Sequence, residues 1–151
     1  MTATPRRSVA RSRNKSKRAQ ARASAHPRRT TTAQPVMHFE MIAKDTEKLK
    51  EFYTKLFGWR AEDYEGMDYA MLHTDPRRGI GGGIGGEGNG LAPGLAVYVQ
   101  VDDVDKFLAQ ARKLGATKVL LEPYDIPQVG RFAVFTDPEG NRIGLWRVAQ
   151  K

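Results

Sequence analysis

The sequence predicts an α+β domain in residues 35–151, made of two βαβββ modules that form a curved mixed sheet around a shared cavity. Two repeated features and the chain length predict it. A strand followed by an Asp-capped helix occurs twice, and the two capping aspartates, Asp45 and Asp103, are 58 positions apart. A Thr-Asp-Pro turn also occurs twice, at 74–76 and 136–138. A chain of 151 residues is long enough for one such domain.

The first module opens with Val36-Met-His-Phe-Glu-Met-Ile-Ala43, whose alternation places His38 and Glu40 on one face of a half-buried strand. Asp45 is a suitable N-cap for the helix that follows, and Gly58 stands where that helix should end. The apolar residues between them recur at helical spacing and predict a buried stripe: Leu49, Phe52, Tyr53, Leu56 and Phe57.

The second module repeats this order. Residues 95–101 alternate as a strand, Asp103 caps the next helix, and Gly115 ends it. The apolar stripe of this helix consists of Val104, Phe107, Leu108, Ala111 and Leu114. Each helix would cover one face of its own strands, so pairing the modules would leave the opposite faces around a common cavity.

The basic residues are concentrated at the start of the chain. The formal net charge is +8, and ten of the 25 Lys and Arg residues lie in residues 1–34, which contain no Asp or Glu. The rest of the chain contains the other 15 basic residues and all 17 acidic ones. The charge of the domain therefore does not indicate polyanion binding. We expect residues 1–34 to be a disordered basic tail. A weak contact with nucleic acid or anionic membrane and an organellar transit peptide are the alternatives to a merely solvated extension.

The composition excludes several kinds of site. The chain has no cysteine, which rules out a disulfide framework, a thiolate nucleophile and a cysteine zinc site, and suits a reducing compartment. No apolar run approaches the roughly 20 residues that a membrane span needs, and no signal-peptide stretch is visible. We therefore expect a cytoplasmic protein.

Two segments of the chain resemble a known family. The order His38-Phe-Glu-Met41, Asp45 and Glu51-Phe-Tyr-Thr-Lys-Leu-Phe-Gly58 resembles the opening strand and helix of the vicinal oxygen chelate superfamily, which includes glyoxalase I, bleomycin resistance proteins and extradiol dioxygenases. The segment Phe135-Thr-Asp-Pro-Glu-Gly-Asn-Arg-Ile-Gly-Leu-Trp146 resembles its closing hairpin. The resemblance covers residues 35–148 and implies the two-module fold. It also implies a homodimer.

Metal-dependent members of this superfamily bind a divalent cation with four inward-facing residues. The resemblance places His38 at the first of these positions, and the internal repeat makes Ala96 its counterpart. The last position falls at Gly144, with a counterpart near Gly81 or Gly82. Alanine and glycine provide no ligand side chain. We therefore expect a degenerate metal site and no cofactor.

His38 and Glu40 support the alternatives to a metal-free pocket. They share a strand face, so both could reach one divalent metal ion. As an acid/base pair they would serve a lyase or isomerase similar to glyoxalase I, and the carboxylate would raise the pKa of the histidine. The simpler interpretation is that His38 lines the pocket and hydrogen-bonds Glu40 or another polar neighbour.

Four further residues are candidates for ligand binding. Tyr98 and Gln100 share a face with Ala96, while Arg142 and Trp146 share one with Gly144. This aromatic and polar lining indicates a small-molecule-binding protein whose ligand is planar or aromatic. A third hypothesis is a dimeric interaction protein whose basic tail contacts nucleic acid or membrane.

Residues 79–86 are rich in glycine. They contain Gly81-x-Gly83-x-x-Gly86, the spacing of a dinucleotide-binding loop, but the following residues cannot form the required helix. We expect a glycine-rich strand that runs into a loop beside the pocket. The glycines of this strand and Gly144 would either widen the cavity or allow close strand packing.

Overall fold

The computed structural model describes residues 32–150. Within this range the two modules contain four strands and one helix each. The strands are β1 (Val36–Ala43), β2 (Arg60–Asp63), β3 (Tyr69–His73), β4 (Gly82–Gly86), β5 (Gly94–Gln100), β6 (Lys118–Ile126), β7 (Gly130–Thr136) and β8 (Arg142–Val148). The helices are α1 (Thr46–Phe57) and α2 (Val104–Lys113), and a short 3-10 turn spans Glu87–Asn89.

All the strands of the described range join one sheet in the order β2-β3-β4-β1-β5-β8-β7-β6. In the first module β1 pairs in parallel with β4, and in the second β5 pairs in parallel with β8. The outer pairs of each module are antiparallel. This confirms the predicted α+β fold of two βαβββ modules in a curved mixed sheet.

The two modules meet through the antiparallel pairing of β1 with β5. Phe39 lies opposite Val97 in this ladder, and the two residues are 58 positions apart, like Asp45 and Asp103. The repeat therefore has an approximate twofold axis through this pair. On either side of it His38 faces Tyr98 and Glu40 faces Ala96. The halves thus pair within one chain.

Both predicted helix caps are present. The Asp45 carboxylate accepts the backbone N–H of Lys48 at 2.9 Å, and Asp103 accepts that of Lys106 at 3.0 Å. Each bond satisfies one of the N–H groups that the first helical turn leaves unpaired. Gly58 ends α1 with a left-handed φ of 66°, a conformation that glycine adopts without steric cost.

The helices pack against the sheet to different extents. In α2, Val104 and Leu108 are fully buried, as predicted. In α1 no residue is fully buried, and only Leu49 and Tyr53 pack against the core beneath the helix. The rest of the predicted stripe, Phe52, Leu56 and Phe57, is more than half exposed. The sheet therefore covers only part of the predicted apolar stripe of α1.

The predicted basic tail, residues 1–34, lies outside the described residues except for its last three positions. No helix within 32–150 has the length and apolar character needed to cross a membrane.

Candidate functional site

A cavity of about 560 Å³ lies on the sheet face opposite the helices. Its lining includes His38 and Glu40 from β1, Asp68 before β3, and side chains of both modules. Six of the lining residues are aromatic: Tyr64, Tyr69, Tyr98, Tyr124, Phe132 and Trp146. A volume of several hundred cubic ångströms with an apolar lining and few polar groups is typical of small-molecule sites.

His38 projects into the cavity because it alternates with Phe39, which packs on the helix side of β1. Its Nε2 lies 3.0 Å from the Tyr69 hydroxyl. Burial lowers the pKa of His38 from 6.5 to about 4, because the surroundings disfavour the charged imidazolium. The expected rise in the pKa of His38 is therefore wrong, because desolvation by burial sets the direction of the shift. His38 is neutral at pH 7.

Glu40 is half-buried and its Oε2 accepts a hydrogen bond of 2.7 Å from the Tyr98 hydroxyl. Burial raises the pKa of Glu40, while the Tyr98 hydrogen bond and the charge of Arg142 oppose that rise. Burial also raises the phenol pKa values of Tyr69, Tyr98 and Tyr124. These three hydroxyls therefore stay protonated and available as hydrogen-bond donors at neutral pH.

The second module contributes an aromatic wall, in which two rings stack on each other. The rings of Phe132 and Trp146 are stacked, with centroids 5.9 Å apart and planes at 10°. Trp146 also meets the His38 ring at 6.3 Å, and its Nε1 donates to the Val129 carbonyl at 3.3 Å. The Tyr98 and Tyr124 rings lie against Phe132. This packing holds the wall in one orientation.

The cavity glycines make room for tyrosines. A Cβ on Gly144 would collide with the Tyr98 ring, and one on Gly83 would collide with the Tyr69 hydroxyl. The strand register pairs Gly144 with Tyr98 and Gly83 with Glu40, so Gly83 is the counterpart of Gly144. The sequence predicts this counterpart near Gly81 or Gly82, so the observed position lies one residue after Gly82. Close packing therefore accounts for Gly83 and Gly144, because the tyrosine side chains occupy the space that these two glycines leave in the cavity.

The predicted site residues divide into two groups. His38, Glu40, Tyr98 and Trp146 line the cavity together. Gln100 and Arg142 are not among the lining residues. The Arg142 Nη2 instead donates to the Ala92 carbonyl at 2.9 Å, which ties the start of β8 to the segment connecting the modules.

The donor set does not fit the divalent metal site that the resemblance implies. His38 and Glu40 are each engaged by a tyrosine hydroxyl. Ala96, the counterpart of His38, and Gly144, at the last ligand position, offer no donor side chain. Among residues 32–150 no three His, Cys, Asp or Glu side chains are grouped so that they could hold an ion. Catalytic metal sites normally use about three protein ligands.

Sequence reasoning did not identify Tyr69, Tyr124 or Phe132 as cavity residues. Tyr69 and Met71 alternate along β3 and both line the cavity. The signal that could have found Tyr69 is the glycine-rich β4, where Gly83 and Gly85 leave space for a large side chain from the neighbouring strand. Tyr124 and Phe132 face each other across the β6–β7 hairpin.

The family was identified by comparison of the sequence with known proteins. Residues 36–145 match the profile of the Glyoxalase/Bleomycin resistance protein/Dioxygenase superfamily. CFP32 of Mycobacterium bovis, described provisionally as a glyoxylase, is 32% identical over 114 residues, which are 72% of this chain and 43% of that protein. The anthracycline biosynthesis protein DnrV of Streptomyces peucetius is 30% identical over 125 residues, with 72% and 45% covered. The chain thus spans less than half the length of these relatives.

Solved structures share the fold. Methylmalonyl-CoA epimerase from Mycobacterium tuberculosis matches 76% of this chain and 88% of its own, with a TM-score of 0.53 and 18% identity. A superfamily member from Vibrio splendidus matches 76% and 99%, with a TM-score of 0.54 and 15% identity. At these identities the likeness concerns the fold alone. The sequence match and the fold agree, and the chain belongs to the Glyoxalase/Bleomycin resistance protein/Dioxygenase superfamily.

Proposed function

We propose that the chain binds a planar or aromatic small molecule in the cavity between its two modules. The parallel stack of Phe132 and Trp146 is the observation that carries the proposal. An aromatic wall in a cavity of about 560 Å³ suits a ligand with a conjugated ring system, which gains both apolar burial and ring contacts.

The polar groups of the cavity support the same conclusion. The Tyr69 and Tyr98 hydroxyls, the neutral His38 and Glu40 lie on one sheet and would orient a ligand through a few hydrogen bonds. The similarity to DnrV, which is named for anthracycline biosynthesis, is consistent with a planar ligand, because anthracyclines contain a fused ring system.

We propose that this binding does not depend on a metal. The donor set at His38 and Glu40 is too small, and both side chains already have tyrosine partners. Metal analysis of the native purified protein tests this directly. Stoichiometric Zn, Ni, Mn or Fe that is lost in His38→Ala would instead favour the metal-dependent alternative.

The binding experiment is a thermal-shift screen of planar compounds, followed by calorimetry on the hits. Trp146→Ala removes one face of the wall and should abolish the shift, while Trp146→Phe should retain part of it. Phe52→Ala, whose ring is 55% exposed on α1, is the matched control and should bind as the parent does. A broad planar library with no hits would contradict the proposal.

A lyase or isomerase that uses His38 and Glu40 as acid and base is the second candidate. The specific observation in its favour is that a neutral imidazole and a carboxyl with a raised pKa line one cavity. Ligands found in the screen can be incubated in D₂O and followed by NMR. Solvent exchange of a carbon-bound proton that His38→Gln abolishes would support this enzyme, and binding without exchange would favour the binder.

Assembly and location remain proposals. We propose a homodimer, supported by the exposed Phe52, Leu56 and Phe57 of α1, because contiguous exposed apolar residues mark interaction surfaces. From the composition we also propose a cytoplasmic location and a contact of the basic tail with nucleic acid or membrane.

A further inference from the structure

Within residues 32–150, the cavity lining contains two carboxyl groups and no Lys or Arg side chain. Of its fifteen residues, Glu40 and Asp68 carry carboxyl groups and none is Lys or Arg. Asp68 is an exposed member of the lining, and its Oδ1 accepts a hydrogen bond of 2.7 Å from the Thr46 hydroxyl. An anionic ligand would meet no opposite charge in this lining, whereas a cation would meet two carboxyl groups.

The inner carboxyl group has capacity for a further partner. Glu40 Oε2 accepts the Tyr98 hydroxyl, but Oε1 makes no hydrogen bond with any residue in 32–150. A carboxylate can accept about four hydrogen bonds, so a single bond leaves acceptor capacity that a ligand in the cavity can use. A ligand N–H that points at Oε1 would supply the missing donor.

No positively charged side chain of residues 32–150 forms an ion pair with Glu40, so a donor from a ligand can take that place. Arg142 is the basic residue whose charge acts on Glu40, but it forms no ion pair with it and does not line the cavity. Its Nη2 bonds to Ala92, and Nη1 is buried without a hydrogen bond. His38 adds no positive charge at neutral pH because burial keeps it unprotonated. Within the described residues, the carboxylate thus has the Tyr98 phenol as its hydrogen-bond partner and forms no ion pair.

The aromatic lining suits a cation as well as a flat ring. Tyr98, Phe132 and Trp146 surround this part of the cavity, with the Tyr98 and Phe132 centroids 6.2 Å apart. Ring faces attract a positive charge within about 6 Å, and the attraction increases where water is excluded. One ligand can therefore stack on Phe132 and Trp146 and place a charged nitrogen next to Glu40.

We propose that the cavity selects a planar organic cation, a conjugated ring bearing a protonated amine or amidine whose N–H is donated to Glu40 Oε1. This inference rests on the proposed binding function and adds the charge class of the ligand. Asp68 at the exposed part of the lining supplies a second, weaker attraction for the same charge.

The test compares three flat tricyclic probes of similar size: 9-aminoacridine, which is a cation at pH 7, neutral acridone, and the anion anthracene-9-carboxylate. Their dissociation constants are measured by calorimetry with the full chain and with three variants. Glu40→Gln removes the charge and keeps the shape, Asp68→Asn does the same at the outer position, and Glu139→Gln in an exposed turn outside the cavity is the matched control. Circular dichroism verifies that each variant is folded.

We expect the full chain to bind the cation about tenfold or more tightly than acridone, and the anion more weakly than acridone. Glu40→Gln should remove most of this preference without weakening acridone, Asp68→Asn should reduce it less, and Glu139→Gln should leave it unchanged. If acridone or the anion binds as tightly as the cation, the charge inference is overturned while the binding function stands. If none of the three probes binds, the binding function itself fails. Even if Glu40→Gln does not fold, the order of the three dissociation constants on the unmodified chain shows whether the cavity prefers a cation.

Discussion

The Tyr98 hydroxyl donates a 2.7 Å hydrogen bond to Glu40 Oε2, and the two residues occupy the same position in the two repeats, 58 residues apart. They meet because the approximate twofold axis runs between β1 and β5, so equivalent side chains project into one cavity from adjacent strands. The repeat has diverged to place an acid in one module and a phenol in the other. The cavity is therefore chemically asymmetric although its scaffold is symmetric.

Tyr98→Phe tests this contact. It leaves the Glu40 carboxyl without its protein donor, and we expect the free energy of unfolding to fall by about 1–3 kcal/mol. The measurement is urea denaturation at pH 7. The matched control is Tyr64→Phe, because that ring also lines the cavity but is 44% exposed at its rim, where water can solvate polar groups. Equal effects of the two variants would contradict a specific role for the Tyr98 hydroxyl.

The buried His38 should make stability depend on acid. Between pH 6.5 and about 4 the unfolded chain binds a proton at His38 that the folded chain does not. The free energy of unfolding is therefore fully retained above pH 6.5 and falls as the pH is lowered through this window, by at most roughly 3 kcal/mol.

His38→Gln isolates that contribution when both proteins are unfolded chemically at pH 7, 6 and 5. The raised pKa of Glu40 acts in the opposite direction, because it favours the folded state at lower pH. Since Glu40 is present in both proteins, its contribution largely cancels in the comparison. We expect the parent to lose stability relative to the variant as the pH falls. His73→Gln, on the outer side of the first module, controls for the loss of an imidazole. A constant difference between parent and His38→Gln would show that His38 titrates normally.

Gly144→Ala tests the close packing of β8 on Tyr98. The added Cβ would collide with the tyrosine ring, and we expect a loss of about 1–3 kcal/mol in the free energy of unfolding as the ring is displaced. Gly79→Ala is the control, since a Cβ there meets only ordinary contacts at 3.7 and 3.9 Å. If Gly144→Ala were as stable as the parent and bound planar ligands less well, the glycine would be serving ligand space instead.

The exposed part of α1 should mediate self-association. Phe52 and Leu56 are 55% and 56% exposed and adjacent on the helix surface, so covering them in a homodimer would remove apolar area from water. Phe52→Lys should raise the dimer dissociation constant at least about tenfold. Light scattering over a concentration series measures it, with Ala109→Lys on the exposed side of α2 as the control. A parent chain that stays monomeric at high concentration would refute the dimer.

Local sequence determined the parts of the fold that depend on near neighbours. Asp45 and Asp103 cap their helices because each side chain reaches an N–H three residues ahead. His38 and Glu40 share a face because successive strand residues point in opposite directions. The same reasoning overestimated the burial of α1, since an apolar stripe shows which face of a helix turns inward but not how much of that face the sheet covers.

The two-module fold, the helix caps and the shared face of His38 and Glu40 on β1 were thus determined by the sequence alone, because they follow from short-range spacing and from a repeat that can be counted. The partners of those residues were decided only by the tertiary structure. Tyr69 reaches His38 through the register of β3 on β4 and of β4 on β1, and Tyr98 reaches Glu40 through the pairing of β1 with β5. The lowered pKa of His38 likewise depends on burial by residues distant in sequence. Strand register and desolvation both depend on residues throughout the packed domain. Local sequence patterns do not contain that information.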